Sequence, residues 1–195
     1  MRSVCVFCAS NVGSDPVYSD VARELASAIA ARGIRLVYGG GHVGLMGVIA
    51  DTVLAAGGEV IGVMPRSLVE KEIAHTGLTE LHITESMHER KATMERLSEG
   101  FIALPGGFGT LDEFCEIVTW AQLGYHAKPI GMLDANGYFD ALRAFFDHTV
   151  EAGFVRPEHR NLILDSPSPE ALLDTMETWQ PTYAAKWTDA PNSRD

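Results

Sequence analysis

Short apolar runs alternate along the chain with longer segments in which apolar residues recur at helical spacing. The runs at 4–8, 60–64 and 101–104 carry no polar side chain, and the run at 34–38 is apolar apart from Arg35, which is typical of strands buried on both faces. Further short strands are predicted at 81–83, 129–133 and 162–164. Because strands of this kind alternate with helices, the pattern predicts an α/β fold: a Rossmann-like, doubly wound parallel sheet in three α/β/α layers.

Capping residues and glycines indicate where the helices begin and end. Asp15 followed by Pro16 predicts a helix that runs to about Arg32, and Ser86 has capping-box spacing for a helix that runs to about Ser98. Later helices are predicted from about residue 111 to 124, after a turn at 136–137 to about 152, and from a cap at 168–169. The segment 66–77 has no sustained period, which predicts a loop with a short helix.

Length and charge limit the classes of function. The chain has 195 residues and is 46% apolar, which predicts one domain over residues 1–187 and a frayed tail at 188–195. Its formal net charge of −11 argues against nucleic-acid binding, since that binding depends on clustered Lys and Arg. A small anionic ligand remains compatible with this charge because local dipoles outweigh net charge at a binding site.

The apolar opening and the cysteines point to no membrane, metal or redox function. The opening run is far shorter than the roughly 20 residues that span a bilayer, and no signal-peptide cleavage pattern follows it, so we expect a soluble cytoplasmic protein. Cys5 and Cys8 form a C-x-x-C, but they lie three positions apart on a predicted strand and therefore on opposite faces. No second pair completes a zinc site, so no metal is predicted.

Two glycine-rich loops follow predicted strands, where open α/β sheets bind ligands. The loop from Gly39 to Gly47 contains G-x-G-x-x-G and leads into a helix, but it lacks the acidic residue of a dinucleotide site and the G-K-[ST] of a P-loop. The alternative explanation is that its glycines serve tight turning and helix packing. The loop from Pro105 to Glu113 brings backbone donors, a hydroxyl and two carboxylates to one strand end, although Thr110 and Glu113 also have capping-box spacing.

Arg90 and Lys91 form a third candidate, near the start of a predicted helix. Two cations there oppose the helix dipole by roughly 0.3–1 kcal/mol each, and a cost without local compensation suggests a ligand. The alternative is that Lys91 pairs with Glu95, although Lys before Glu is the poorer order for such a pair.

Taken together, these segments resemble the Lonely Guy (LOG) family, older members of which are labelled lysine decarboxylase-like. The resemblance rests on P-G-G-x-G-T-x-x-E at 105–113 and on the Arg90, Lys91 pair, with family-like residues at 38–41, 64–65 and 119–124. It extends from residue 4 to about 157. Phe108 departs from the family, where Tyr or Gly is frequent.

The resemblance implies hydrolysis of a cytokinin riboside 5′-monophosphate, or of AMP, to free base and ribose 5-phosphate, without a cofactor or metal. It assigns catalysis to Arg90 and Glu113. It assigns substrate binding to Ser10, Gly39, Gly40, Gly41, Glu72, Met87, Lys91, Gly106, Gly107, Phe108, Gly109, Thr110, Leu111, Asp112 and Thr119. It also implies a homodimer, with helices around residues 119–125 at the interface.

The residue types suit this reaction. A carboxylate stabilises the oxocarbenium-like transition state of glycosidic cleavage and activates water, and we assign this task to Glu113. Arg90 either assists the leaving purine or orders the ribose hydroxyls and Glu113, and the sequence leaves both open. The phosphate is expected on the glycine-loop N–H groups with Lys91 nearby.

Two other functions compete with the hydrolase. A lysine decarboxylase would need pyridoxal phosphate on a Schiff-base lysine, and none of the four lysines, Lys71, Lys91, Lys128 and Lys186, has a suitable setting. A non-catalytic nucleotide carrier or sensor would bind ligand without turnover, and it would have no need for Arg90 together with Glu113.

Overall fold

The computed structural model describes residues 1–70 and 74–181. Its strands are β1 Ser3–Phe7, β2 Arg35–Tyr38, β3 Val60–Pro65, β4 Glu80–Thr84, β5 Phe101–Ala103, β6 Ile130–Leu133 and β7 Ile163–Ser166. Its helices are α1 Pro16–Ala31, α2 Gly44–Ala55, α3 Arg66–Val69, α4 Met87–Leu97, α5 Phe108–Gln122, α6 Asp140–Glu151, α7 Pro157–Arg160 and α8 Pro169–Thr178. Two predicted features, Glu72 and the tail at 188–195, lie outside the described residues.

The strands form one sheet in the order β4-β3-β2-β1-β5-β6-β7, and every pair is parallel. From β1 the chain winds outward to β4, then crosses back and winds outward through β5 on the other side. The winding direction therefore reverses between β1 and β5, and the loops that leave these two strands diverge. This reversal is the switch point at which doubly wound sheets bind ligands, and the Rossmann-like prediction is confirmed.

Helices cover both faces of the sheet and separate two cores. Helices α1, α2 and α8 pack on one face, with Leu25, Ile49 and Leu172 among the buried contacts. Helices α4 and α5 cover the other face, where Met94 and Phe114 are buried. The central strands are buried at nearly every position because both of their faces meet helices, which explains their continuous apolar runs.

Most predicted boundaries agree with the structure within one or two residues, including the caps at Asp15, Ser86 and Ser168, whose side chains all accept from backbone N–H groups. Helix α5 is the exception, because it begins at Phe108 and not near Leu111. Helix α7 was not predicted, since four residues of mixed polarity show no period. Within residues 1–70 and 74–181, no helix is long and apolar enough to cross a membrane.

Candidate active site

A cavity of about 390 Å³ opens at the switch point, within the usual size range of small-molecule sites. The end of β1 and the loop after it form one wall, the first turn of α5 forms another, and α4 contributes Arg90 from the face of the sheet that α4 and α5 cover. Its lining residues are Val6, Cys8, Ala9, Ser10, Asn11, Gly39, Met46, Leu68, Arg90, Gly107, Phe108, Gly109, Thr110 and Glu113. Both predicted catalytic residues therefore face one cavity.

The first turn of α5 forms the polar rim of this cavity. Its N-cap is Gly107, which makes no side-chain capping bond, and its first intrahelical bond joins the Leu111 N–H to the Gly107 carbonyl. The N–H groups that precede Leu111 are the ones that a helix start leaves without an intrahelical acceptor, and they attract anions. Thr110 lies inside the helix and packs over Gly106, so the capping-box interpretation of Thr110 and Glu113 is wrong.

Arg90 is held in a fixed position at the base of the cavity. Its Nε donates to the carbonyl of Val63 at 2.9 Å, and its Nη1 donates to Oε1 of Glu113 at 2.8 Å. Both side chains are only 10% exposed. The sequence offers no local partner for the charge of Arg90, and in the structure α5 supplies a carboxylate from 23 residues away.

The environment of Glu113 favours its protonated form more than water does. Burial raises the pKa of Glu113 above the ordinary range of a glutamate, while the positive charge of Arg90 acts in the opposite direction and Asp112 adds to the rise. A carboxyl group whose pKa is raised by burial in a cavity is typical of acid–base sites.

Lys91 points away from the cavity, toward the exposed side of α5. Its Nζ lies 3.1 Å from Asp112 and 3.0 Å from Glu116, and the side chain is only 11% exposed. Burial alone would lower the pKa of Lys91, but the two carboxylates raise it above its usual value. The alternative pairing of Lys91 with Glu95 is wrong, because Glu95 pairs with Lys128.

The glycines of the first loop make close packing possible. A Cβ on Gly39 would overlap the guanidinium of Arg90, and one on Gly44 would overlap the backbone of Ser10. A Cβ on Gly47 would overlap the carbonyl of His42. Of the three glycines at 39–41, Gly39 lines the cavity, while the Gly40 carbonyl accepts from the His75 N–H and Gly41 bridges to Ala74. The packing explanation thus applies to much of this loop.

The remaining predicted binding residues are dispersed. Ser10 lines the cavity, but Met87 lies on the exposed first turn of α4 and is not part of its lining. Thr119 lines a separate cavity of about 170 Å³ between α5, α6 and α7. Asp112 is engaged by Lys91, and Leu111 is partly buried behind the rim.

Sequence reasoning missed several cavity residues: Cys8, Ala9, Asn11, Met46 and Leu68. The first three lie in the segment that follows β1. Their position could have predicted them, because ligands of doubly wound sheets bind at the carboxyl ends of the strands beside the switch point. Met46 lies within the glycine-rich segment 39–47 but is not one of its glycines, and Leu68 comes from α3 and belongs to no motif.

The described residues do not fit a metal site or a Schiff-base cofactor. Within residues 1–70 and 74–181, no group of three or more His, Cys, Asp or Glu side chains could hold a metal ion. Lys91 and Lys128 are the lysines of these ranges, and both amines are ion-paired outside the cavity. Neither presents a free amine to a ligand bound there.

Sequence comparison identifies relatives along nearly the whole chain. The family model described as "Possible lysine decarboxylase" matches residues 46–176. A rice protein (Oryza sativa subsp. japonica) named as the probable cytokinin riboside 5′-monophosphate phosphoribohydrolase LOGL2 is 47% identical over 93% of this chain and 75% of its own. The Arabidopsis thaliana phosphoribohydrolase LOG5 is 46% identical over 92% of this chain and 79% of its own.

Comparison with solved structures shows the same fold at lower identity. The protein TM1055 superposes with a TM-score of 0.70 at 21% identity, over 92% of this chain and all of the other. The molybdenum cofactor carrier protein of Chlamydomonas reinhardtii superposes with a TM-score of 0.66 at 18% identity, over 90% and 96% of the two chains. These two matches show the fold, while the family model described as "Possible lysine decarboxylase" and the sequence relatives at 46–47% identity establish that the chain belongs to the LOG family.

Proposed function

We propose that this protein hydrolyses the N-glycosidic bond of a cytokinin riboside 5′-monophosphate, and also of AMP, to release the free base and ribose 5-phosphate. The names of the LOG relatives supply the reaction class. The observation that carries the proposal is the Arg90–Glu113 pair, buried at the base of a cavity whose rim is a helix start. The reaction uses a carboxylate at the sugar and a binding site for the 5′-phosphate, and this cavity offers both.

Glu113 acts on the sugar. The bond between the anomeric carbon and the base nitrogen breaks with its electron pair on the base, and positive charge develops on the ribose ring. The Glu113 carboxylate stabilises that charge and accepts a proton from the water whose oxygen bonds to the anomeric carbon. The base takes up a proton from solvent as it leaves.

Arg90 positions Glu113 and does not donate a proton. An arginine side chain keeps its proton in proteins, so it cannot act as a general acid. Two of its nitrogens are already committed to Val63 and Glu113, while Nη2 lies beside Gly39 at the cavity wall. These contacts favour the second of its two candidate tasks, which is to order Glu113 and a ribose hydroxyl.

The 5′-phosphate is placed on the first turn of α5. The N–H groups of Gly107, Phe108, Gly109 and Thr110 precede the first intrahelical bond, and all four residues line the cavity. Phosphate binding there supplies binding energy away from the reacting bond, and this energy holds the ribose over Glu113. Lys91 is directed to α5 carboxylates, so in this proposal the N–H groups take the phosphate without it.

A homodimer through α5 and α6 completes the proposal. No residue of α6 is buried, although Phe145 and Phe146 lie on this helix, and Phe145 is 59% exposed. Phe154, just beyond α6, is 85% exposed, and Phe146 lines the small cavity beside α5. Exposed apolar side chains of this size, at Phe145 and Phe154, support an interaction surface here. We also propose a cytoplasmic location, which the three unpaired cysteines support because thiols stay reduced there.

The decisive experiment measures turnover of two nucleotides. Purified protein is incubated with isopentenyladenosine 5′-monophosphate and with AMP, and free base is separated by chromatography. Turnover by wild type should fall by about 10²–10⁴-fold in Glu113→Gln, which keeps the shape of the side chain and removes its charge. A protein that binds both nucleotides but releases no base would be a carrier or sensor, and the hydrolase proposal would be wrong.

A further inference from the structure

Tyr138 makes a hydrogen bond that reaches the cavity rim from outside the cavity. Its hydroxyl donates to the carbonyl of Gly106 at 2.7 Å, 32 residues away in sequence. Tyr138 lies in the turn after β6, and Asp134 fixes that turn by accepting from the N–H groups of Gly137 and Phe139. The hydroxyl is therefore presented to Gly106 from a well-defined position.

The bond to Gly106 determines where the next N–H points. A trans peptide is planar, and its carbonyl and N–H are directed to opposite sides. Because the Gly106 carbonyl is turned outward to Tyr138, the Gly107 N–H is turned to the other side of the same peptide. Gly107 lines the cavity whereas Gly106 does not, and the Thr110 side chain covers Gly106.

Tyr18 supports Tyr138 and connects it to the second loop of the switch point. The two rings meet edge to face, with centroids 5.5 Å apart and an interplanar angle of 77°. The Tyr18 ring also lies against Gly13, where an added Cβ would come within 2.5 Å of Cδ2. Gly13 has a φ of +80° and belongs to the loop after β1 that carries Ser10 and Asn11 into the cavity. The pair thus joins the loops of β1 and β5.

We propose that Tyr138, supported by Tyr18, is a positioning residue that directs the Gly107 N–H toward the substrate phosphate and so sets the affinity for phosphorylated ligands. This inference rests on the proposed function, because it assigns the phosphate to the α5 rim. Tyr138 contacts no substrate itself. Without its hydroxyl, the peptide between Gly106 and Gly107 loses the bond that fixes its plane, and the N–H is no longer preorganised.

Calorimetric binding of ribose 5-phosphate and of adenosine tests the proposal. In Tyr138→Phe, which keeps the ring, the dissociation constant for ribose 5-phosphate should rise about three- to tenfold, as expected for one hydrogen bond. The constant for adenosine, which has no phosphate, should stay the same. Tyr18→Phe is the matched variant, since its hydroxyl makes no hydrogen bond to any other described residue and its ring contacts persist, so both constants should remain at wild-type values.

The amide signal of Gly107 gives a second readout that does not depend on turnover. In nitrogen-15 NMR spectra, Tyr138→Phe should abolish most of the shift that ribose 5-phosphate induces at Gly107 in wild type. Equal weakening of both ligands in Tyr138→Phe, or unchanged ribose 5-phosphate binding, would overturn the positioning role while leaving hydrolysis intact. Wild-type protein that hydrolyses no nucleotide and binds no ribose 5-phosphate would remove the proposed function and this inference together.

Discussion

Gly39 and Arg90 are packed so closely that the glycine's missing side chain is what makes room for the guanidinium. A Cβ at Gly39 would overlap Nη2 of Arg90 and press on the sulfur of Met46. The Arg90 side chain cannot move away without breaking a hydrogen bond, because Val63 and Glu113 accept from its other nitrogens. The glycine that follows β2 is therefore part of how the Arg90–Glu113 pair is positioned.

Gly39→Ala should lower kcat about 10- to 100-fold while the protein remains folded, since a misplacement of about 1 Å costs this much in a reaction that depends on geometry. Steady-state kinetics together with a thermal melt would measure both effects. Gly153→Ala is the control. Gly153 has a φ of +78° and open space around it, so it should lose about 1–2 kcal/mol of stability and keep its turnover. Full activity in Gly39→Ala would contradict the positioning role.

Arg90→Lys should reduce turnover by about 10²-fold even though the positive charge is kept. Lysine has one terminal nitrogen and cannot satisfy the Val63 carbonyl and Glu113 with the fixed geometry of a guanidinium. Base release by the variant, compared with wild type at saturating nucleotide, measures the effect. A variant with near-wild-type kcat would mean that charge alone is required.

The pH dependence of kcat/KM should show an acidic limb above the ordinary range of a glutamate. Glu113 must be ionised to act, and burial raises its pKa, so activity is lost as the pH falls through that raised value. Rates measured between about pH 4 and pH 9 locate the limb. Since Arg90 opposes the rise, Arg90→Met should raise the pKa of Glu113 further, which carbon-13 NMR of the carboxyl would detect. A limb at or below the usual glutamate range would contradict this environment.

Phe145→Glu should convert the proposed dimer to a monomer, because it places a charge in the exposed aromatic surface of α6. Size-exclusion chromatography with light scattering gives the mass directly. Ile83→Glu is the matched control, since Ile83 is a similarly exposed apolar residue on the edge strand β4 and should leave the mass unchanged. A wild-type monomer would disprove the dimer itself.

The sequence predicted the fold well because the fold depends on local patterns. Continuous apolar strands and the caps at Asp15, Ser86 and Ser168 each act within a few residues. The start of α5 was misplaced because Gly107 caps it without a side chain, so no capping residue marks the helix at Phe108. The ion-pair partners of Lys91 could not be predicted for another reason: they lie 21 and 25 residues away on α5, a separation that no local rule detects.

The sequence predicted mainly those site residues that belong to recognisable motifs. Arg90 and Glu113 belong to recognisable segments, and the structure brings them to one cavity. Met46, Leu68 and the Tyr18–Tyr138 pair depend on tertiary packing alone, and their roles become visible only in three dimensions.

Cys5 and Cys8 are close in sequence, yet the sheet separates them. Their side chains enter the two different cores, and about 3.3 Å of rise per residue puts their Cα atoms about 10 Å apart, beyond the roughly 7 Å that a disulfide spans. Burial also raises the pKa of both thiols, so the folded protein protects them from oxidation. An unfolded chain has no such protection, and a bond closed there would prevent β1 from forming. A chain that is oxidised while unfolded should therefore refold only after a reductant is added, whereas a chain kept reduced in denaturant should refold without one.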